Sequence, residues 1–372
     1  MKPTEATGTS TVAVGVKNPG VRFERKGAAV VLTLDRPDRL NAVNSGMKAA
    51  ISRELPRIAR DPQVYAVLLQ ASPARMFSAG GDIREYYDLA TTNPTLAAAE
   101  FANEYSLIWL LDCFSKPTIA FIDGAMMGTA VGLVQCATHR VAGPGYRFQM
   151  PETAIGFFPD NGVAWHLARL PGEVGTWLAL TGASIGPADA LHLDLITHVI
   201  APSRFDEAAA AIADCQPIDQ ILDAMSADPG PAPLADVAVV IERCFSADDM
   251  SEIMRRLEAE TEHRDWCASQ LATLASRSPL ALAVTLEYVR RARHLDLRQT
   301  LVVDHRLAVR MVTSHDFQEG VRTRIIEKQG EPQWRPSVAS EVSRRQIERL
   351  FDPLDEGELN VPTRQEMQPS RP

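Results

Sequence analysis

The stretch Ala28-Ala-Val-Val-Leu-Thr-Leu-Asp-Arg-Pro37 decides the fold. It is apolar and rich in β-branched residues, and it ends at a proline that cannot extend a ladder, so it reads as a strand entering a loop. Asn41 is placed to cap the next element, Ser45 to Ala59 repeats apolar positions at helical spacing, and Val64 to Gln70 reads as a second strand. The order strand, loop, helix, strand then recurs. Glu100 to Cys113 predicts a helix, Pro117 to Ile122 a strand, Gly128 to His139 a helix, and Arg140 to Ala142 and Tyr146 to Met150 two short strands. Strands alternating with helices indicate an α/β protein rather than a sandwich or a bundle.

Beyond about residue 203 the pattern becomes helical with acidic surface positions, as in Arg204 to Asp214, Asp248 to Glu262 and Leu280 to Arg293. Within it, Asp228-Pro-Gly-Pro-Ala-Pro233 reads as a loop, because successive prolines exclude both helix and central strand. The expected organisation is a flexible arm over residues 1–20, an α/β core over 21–203, a helical module over 204–351 and a mobile tail over 352–372, which is polar and carries four prolines.

Composition narrows the function classes. The 372 residues hold 38 basic and 47 acidic side chains, a formal charge of −9, without the clustered Lys and Arg that phosphate neutralisation requires. Nucleic acid is therefore not an expected partner. The most apolar run, Thr118 to Met127, falls short of the ~20 residues of a membrane span and contains Asp123. The first residues include Glu5 and no continuous apolar core, so no secretory signal is read there. Cys113, Cys136, Cys215, Cys244 and Cys267 are scattered, form no CxxC pair and suit reduced thiols, which points to the cytoplasm. Eight histidines without an HxxxH pair and the absence of a GxSxG elbow give no support for a metal site or a serine triad; His166, His305 and His315 read as structural. Arg290-Arg-Ala-Arg293 reads either as a solvated helix face or as a contact for an anionic ligand tail.

Three segments could carry chemistry. Phe77-Ser-Ala-Gly-Gly-Asp-Ile83 comes after a predicted strand and reads either as a tight turn capped by Asp82 or as a loop whose amides receive a ligand oxygen. Gly124-Ala-Met-Met-Gly-Thr-Ala-Val-Gly132 comes after another and opens a helix whose first N–H groups could hold an oxyanion, or whose small residues could simply pack on a sheet. It lacks the Lys-Ser/Thr ending of a phosphate loop. Met150-Pro-Glu-Thr-Ala-Ile-Gly-Phe-Phe-Pro-Asp-Asn-Gly162 sets Glu152 and Asp160 in apolar surroundings. There they either act as acid or base with raised pKa or cap helices in exposed turns.

Taken in this order, the three segments resemble the crotonase (enoyl-CoA hydratase/isomerase) superfamily. Phe77 to Arg84, Lys116 to Gly124 and Met150 to Asp160, with His315-Asp-Phe-Gln-Glu-Gly-Val-Arg322, Lys328 and Trp334-Arg-Pro336 behind them, look most like its 3-hydroxyisobutyryl-CoA hydrolase branch, from about Val21 to Phe351. The resemblance implies a crotonase spiral of ββα units carrying a C-terminal helical module. It also implies an acyl-CoA substrate with no separate cofactor, since coenzyme A enters as part of the substrate. By the same likeness the backbone N–H groups of Gly81 and Thr129 form an oxyanion hole and Glu152 and Asp160 are the catalytic carboxylates. Glu104 contacts substrate, and Ala79, Gly80, Asp82 and Gly128 border coenzyme A. Relatives assemble into trimers or hexamers, and the extra C-terminal helices imply a smaller homo-oligomer. The implied reaction is hydrolysis of a short branched 3-hydroxyacyl thioester, because the first glutamate of the hydratases falls here on Gly132. A hydratase or isomerase using Glu152 alone and a non-catalytic acyl-CoA-binding protein are the alternatives. One departure stands out: the hydrolases read Met-Gly-Gly-Gly-Val-Gly where this chain reads Met127-Gly-Thr-Ala-Val-Gly132, which narrows the space beside the thioester.

Overall fold

Along the strand over Ala29–Leu34, Val30, Leu32 and Leu34 turn to one apolar cluster while Ala29 and Val31 turn to a second. A strand buried on both faces belongs inside a covered sheet. The computed structural model describes residues 20–367 apart from Ala74, so the expected arm, except for Gly20, and the last five residues lie outside the described residues. Eight strands are present among the described residues: β1 (Val21–Lys26), β2 (Ala29–Leu34), β3 (Ala66–Ala71), β4 (Thr118–Ile122), β5 (Ala125–Met127), β6 (His139–Ala142), β7 (Arg147–Gln149) and β8 (His198–Val199). The main sheet runs β1-β2-β3-β4-β6-β8, parallel except for the β1–β2 hairpin, and β5 pairs with β7 in a small second sheet.

Each turn of the chain lays one strand in the main sheet, touches a second layer and leaves through a helix. After β2, Val43 bridges Gly81 before helix α1 (Ser45–Arg60). After β3, Ser78 bridges Met126 before α2 (Ile83–Thr92) and α3 (Pro94–Asp112). After β4, strand β5 leads into α4 (Thr129–Gln135). This is the spiral of ββα units that the resemblance implied.

Two local expectations change. The cap of α1 is Asn44, whose side chain accepts from the Met47 N–H. Asn41 instead takes a left-handed conformation and pins the loop, donating to the carbonyls of Ser72 and Phe77. Helix α4 stops at Gln135 rather than His139, because Thr138 and Thr118 exchange hydrogen bonds of 3.0 Å that draw the chain into the sheet as β6.

The helical half is not separate from the core. Helices Phe205–Ala213 and Ile218–Met225 cover the second face of the main sheet through Ala208, Ile212, Ile221 and Leu222. The later helices share one continuous apolar cluster with α1, α3 and α4. The segment expected to be a mobile tail is anchored as far as Pro362: Leu359 and Val361 are buried, Trp109 donates to the Pro362 carbonyl at 2.6 Å, and Arg306 pairs with Glu358. Polar composition hid these few apolar anchors. Among the described residues no helix is long and apolar enough to cross a membrane.

The contact that most constrains the site joins the turn Glu152–Ile155 to helix His315–Val321. A Cβ on Gly320 would stand 2.6 Å from Ile155 Cα, and one on Gly156, at φ +70°, would overlap the Asp316 carbonyl. Gly320→Ala is therefore expected to lower unfolding free energy by about 1–3 kcal/mol, although alanine is the better helix former. Urea denaturation measures it, and an unchanged or raised midpoint would show that the two elements are not clamped.

Candidate active site

Four helices and two loops converge on a narrow cavity of about 30 Å³. It is lined by Gly81, Gly128, Thr129, Glu104, Glu152 and Asp160, with an apolar wall of Ile83, Tyr86, Phe101, Phe157 and Phe317. The aromatic rings form a continuous run, with centroids 4.1 Å apart for Tyr86 and Phe101, 5.8 Å for Phe101 and Phe157, and 5.4 Å for Phe157 and Phe317. Phe317 belongs to the helical module, so that module shapes the cavity directly.

The glycine loops approach each other closely. A Cβ on Gly80, at φ +85°, would stand 2.7 Å from the Met127 carbonyl oxygen; one on Gly128, at φ +52°, would stand 3.3 Å from Glu152 Oε1 and 3.9 Å from Gly81 N. Only glycine is comfortable at either position. Around Gly81, the bridge to Val43 uses the Gly80 carbonyl and the Asp82 N–H, which turns the Gly81 N–H to the other side. Thr129 is the first residue of α4, so its N–H has no partner within the helix. The cap reading of Asp82 does not hold: its side chain makes no capping bond and pairs with Arg36 at 3.0 Å. Ala79 and Asp82 are half-buried at the rim of this loop, outside the cavity lining.

The three carboxylates of the cavity have different partners. Glu104, 1% exposed, accepts from Lys48 Nζ at 2.9 Å and Tyr86 OH at 2.5 Å on Oε2, and from the Thr129 hydroxyl at 2.6 Å on Oε1. Burial pushes its pKa up, but the Lys48 ammonium and these hydrogen bonds outweigh it and hold the carboxyl below its ordinary range. Asp160, 5% exposed, accepts from Tyr105 OH at 2.8 Å. Burial and then the Glu104 charge push it up to about 7 against the pull of that phenol. Glu152, 7% exposed, starts a short helical turn yet caps nothing, and its Oε2 is buried without a hydrogen-bond partner. Burial, then the Asp160 charge, raises its pKa well above the carboxylate range. The exposed-cap reading of Glu152 and Asp160 is thereby replaced: both are buried in the cavity wall.

The position that would hold a hydratase's first glutamate has no room for one. A Cβ on Gly132 would stand 2.7 Å from Asn161 Cβ, 2.8 Å from Asn161 O and 3.1 Å from Ile108 Cδ1. His166, His305 and His315 lie outside the cavity lining; burial pushes His166 down to about 3, and the other two bond backbone carbonyls of Ala98 and Gln333. Arg290, Arg291 and Arg293 are each engaged by a protein carboxylate, Asp248, Glu287 and Glu173 in turn.

Sequence reasoning missed Lys48, Tyr86 and Tyr105. A signal existed for the first, because Lys48, Ile51 and Leu55 share one face of α1 at helical spacing and two of the three are core residues. A lysine in that stripe needs a buried anion.

With this geometry the relatives can be placed. A model of the enoyl-CoA hydratase/isomerase family matches residues 29–351. The mitochondrial 3-hydroxyisobutyryl-CoA hydrolase of Xenopus laevis is 33% identical over 356 residues, covering 93% of this chain and 92% of its own. 3-Hydroxyisobutyryl-CoA hydrolase 1 of Arabidopsis thaliana is 32% identical, covering 92% and 94%. Two crystal structures superpose over 92% of this chain: a carnitinyl-CoA dehydratase from Mycobacterium thermoresistibile, at TM-score 0.87, 33% identity and 99% of its own chain, and an enoyl-CoA hydratase from Rhodobacter sphaeroides 2.4.1, at 0.85, 32% and 100%. The chain belongs to the enoyl-CoA hydratase/isomerase family and has its crotonase fold. Within it, the chain is an enzyme like the relatives that carry the 3-hydroxyisobutyryl-CoA hydrolase name. The cytoplasmic location expected from the cysteines finds no support among them, since the vertebrate relatives are named mitochondrial.

The carboxylates generate two expected outcomes. Lys48→Met leaves the Glu104 charge buried and unanswered and is expected to cost about 3–5 kcal/mol in chemical denaturation, with Glu104→Gln restoring part of the loss in the double variant. A double variant no more stable than Lys48→Met would show that the pair is not coupled. Asp160 has a folded pKa near 7 against 3.8 when free, so its contribution to stability is present below about pH 4 and is lost as pH rises through 7. The thermal midpoint of Asp160→Asn minus that of the unaltered protein is therefore expected to grow between pH 4 and pH 8; a flat difference would contradict the raised pKa.

Proposed function

We propose that this protein hydrolyses a short branched acyl-CoA thioester, with 3-hydroxyisobutyryl-CoA, an intermediate of valine breakdown, as the reference substrate. The observation that carries the reading is one cavity lined both by Gly81 and Thr129, whose amides have no backbone partner, and by Glu152, whose Oε2 lacks a hydrogen-bond partner and whose pKa is raised. The relatives named as hydrolases support the same choice.

In the proposed step the two amides hold the thioester oxygen and stabilise the charge it gains. Glu152 removes a proton from water as the water oxygen bonds to the carbonyl carbon, or attacks that carbon itself to give an anhydride that water opens. In the first route the carbon–sulfur bond then breaks, and in the second it breaks as the anhydride forms, before water opens it; in both the thiolate takes up a proton, and the acid and coenzyme A leave. Asp160, tied to Tyr105, orients the substrate hydroxyl, the water or Glu152 itself. Gly80, Ala79, Asp82 and Gly128 are proposed to border the coenzyme A moiety, which enters as substrate with no further cofactor, and a homo-oligomer smaller than a hexamer is proposed for the assembly. Hydration of an enoyl ester is disfavoured because Asn161 and Ile108 fill the space beside Gly132, which leaves no carboxylate at that position to share a water with Glu152.

The test is thiol release from 3-hydroxyisobutyryl-CoA beside crotonyl-CoA followed by its enoyl absorbance. Thiol from the first alone supports the reading, and loss of enoyl absorbance without thiol replaces it with a hydratase. Glu152→Gln is expected to lower kcat by about 10³-fold or more while the thioester still binds; near-normal turnover would remove Glu152 from the chemistry. Because Glu152 must be ionised and its pKa is raised, kcat is expected to climb with pH through an acid limb lying above the ordinary carboxylate range.

A further inference from the structure

The side chain of Thr129 has a position that its backbone role does not require. Its hydroxyl lies 2.6 Å from Glu104 Oε1, and a Cβ built on Gly81 would stand 2.8 Å from the same Oγ1. The hydroxyl therefore stands between the carboxylate and the loop that faces the thioester. Behind it, Glu104 Oε2 is already taken by Lys48 and Tyr86. A carboxylate has about four acceptor positions, and protein groups fill three of them. Thr129 is 3% exposed and Glu104 1%, so the carboxylate shows almost no surface beyond the hydroxyl that covers it.

Glu104 lines the cavity, yet three of its acceptor positions are spent within a structural cluster. Beside Glu104, Glu152 and Asp160, the side chains that line the cavity are Thr129, whose hydroxyl lies on Glu104 Oε1, and the apolar set Ile83, Tyr86, Phe101, Phe157 and Phe317. Tyr86 presents its ring, since its hydroxyl is spent on Glu104 and on Lys48. Asp160 has one oxygen held by Tyr105 and, of its three proposed roles, is assigned here to the attacking water rather than to a substrate hydroxyl, and Glu152 is the base of the proposed step.

We propose that Thr129 is a specificity-determining residue that screens Glu104 from the substrate, so that this site accepts short branched acyl-CoA thioesters with or without a hydroxyl at C3. The inference rests on the thioesterase reading above and concerns only which acyl group that site prefers. A site built to hydrogen-bond a substrate hydroxyl rejects the analogue lacking it by about 10⁴-fold or more, whereas an apolar wall separates the two weakly. The difference is large enough to measure.

The experiment compares kcat/KM for 3-hydroxyisobutyryl-CoA and isobutyryl-CoA, which differ only in that hydroxyl. The unaltered protein is expected to favour the hydroxylated ester by less than about tenfold. A larger preference would overturn the proposal. Thr129→Gly uncovers Glu104 and is expected to shift the ratio toward the hydroxylated ester by at least about tenfold; an unchanged ratio would overturn it as well. Thr129→Ser keeps the hydroxyl and is expected to keep the unaltered ratio, which separates screening by the hydroxyl from a general loosening of the loop; a Thr129→Ser ratio that moves as far as that of Thr129→Gly would count against the proposal. Should Thr129→Gly fail to fold, Thr129→Ala removes both the hydroxyl and the branch that cover Glu104 and is read by the same criterion. If neither ester releases thiol, the hydrolase reading fails, and the same ratio is then taken from dissociation constants of the two esters by calorimetry, with the same thresholds deciding the role of Thr129.

Discussion

A single buried carboxylate organises the core. Glu104 on α3 is answered by Lys48 on α1, Tyr86 on α2 and Thr129 on α4, so four helices, three of which line the cavity, meet at one charge. Taking a lysine and a glutamate out of water costs several kcal/mol per ion, and their attraction offsets this only when the remaining donors and acceptors are also satisfied. Here the tyrosine and threonine hydroxyls complete the set, and the ammonium sits 4.7 Å from the Tyr86 ring centre as well. The arrangement stabilises little on balance. Its effect is specificity of packing, because any shift of one helix strands a charge.

The same cavity contains the opposite case. Glu152 has no cation near it and one oxygen without a donor, so burial acts on it almost unopposed. Asp160 lies between the extremes, eased by Tyr105 and raised by its surroundings. Three carboxylates within one small space are thus driven apart in proton affinity by what each is given to bond: ionised at Glu104, readily protonated at Glu152, near neutrality at Asp160. Divergent affinities of this kind let neighbouring groups hold different protonation states at one pH, which acid-base work requires. The cluster around Glu104 therefore contributes twice, as scaffold and as the fixed negative charge that helps lift Asp160.

The α/β order is legible because β2, β3, β4 and α1 carry their own signals in apolar runs, helical spacing and prolines. The ends are not. Sequence makes helix α4 four residues too long, since the reciprocal Thr118–Thr138 bonds that end it join residues twenty apart. Asn41 and Asn44 suit a cap equally well by residue type, and only the distant Ser72 and Phe77 carbonyls recruit the first for another task. Likewise the three chemical segments can each be quoted from sequence, but Lys48 and Tyr86 cannot be joined to Glu104, which depends on how α1 and α2 cross α3. Pairings that are close in space and far in the chain leave almost no mark on either partner.

The helical layer completes this logic from the other side. Asp304 accepts from the Gly162 N–H at 2.7 Å and from Tyr288 OH at 2.5 Å, the Ser278 N–H donates to the Thr153 carbonyl, and Gly320 lies against Ile155. These contacts fix the segment from Glu152 to Gly162 near its start and at its end. A loop bearing two carboxylates proposed to be catalytic would otherwise be among the more mobile parts of an α/β protein. Held at Thr153, Ile155, Gly156 and Gly162, it behaves as part of the core, and its carboxylates keep their depth from solvent. Depth is what raises their pKa, so helices far along the chain set the proton affinity of the groups proposed to act on the thioester.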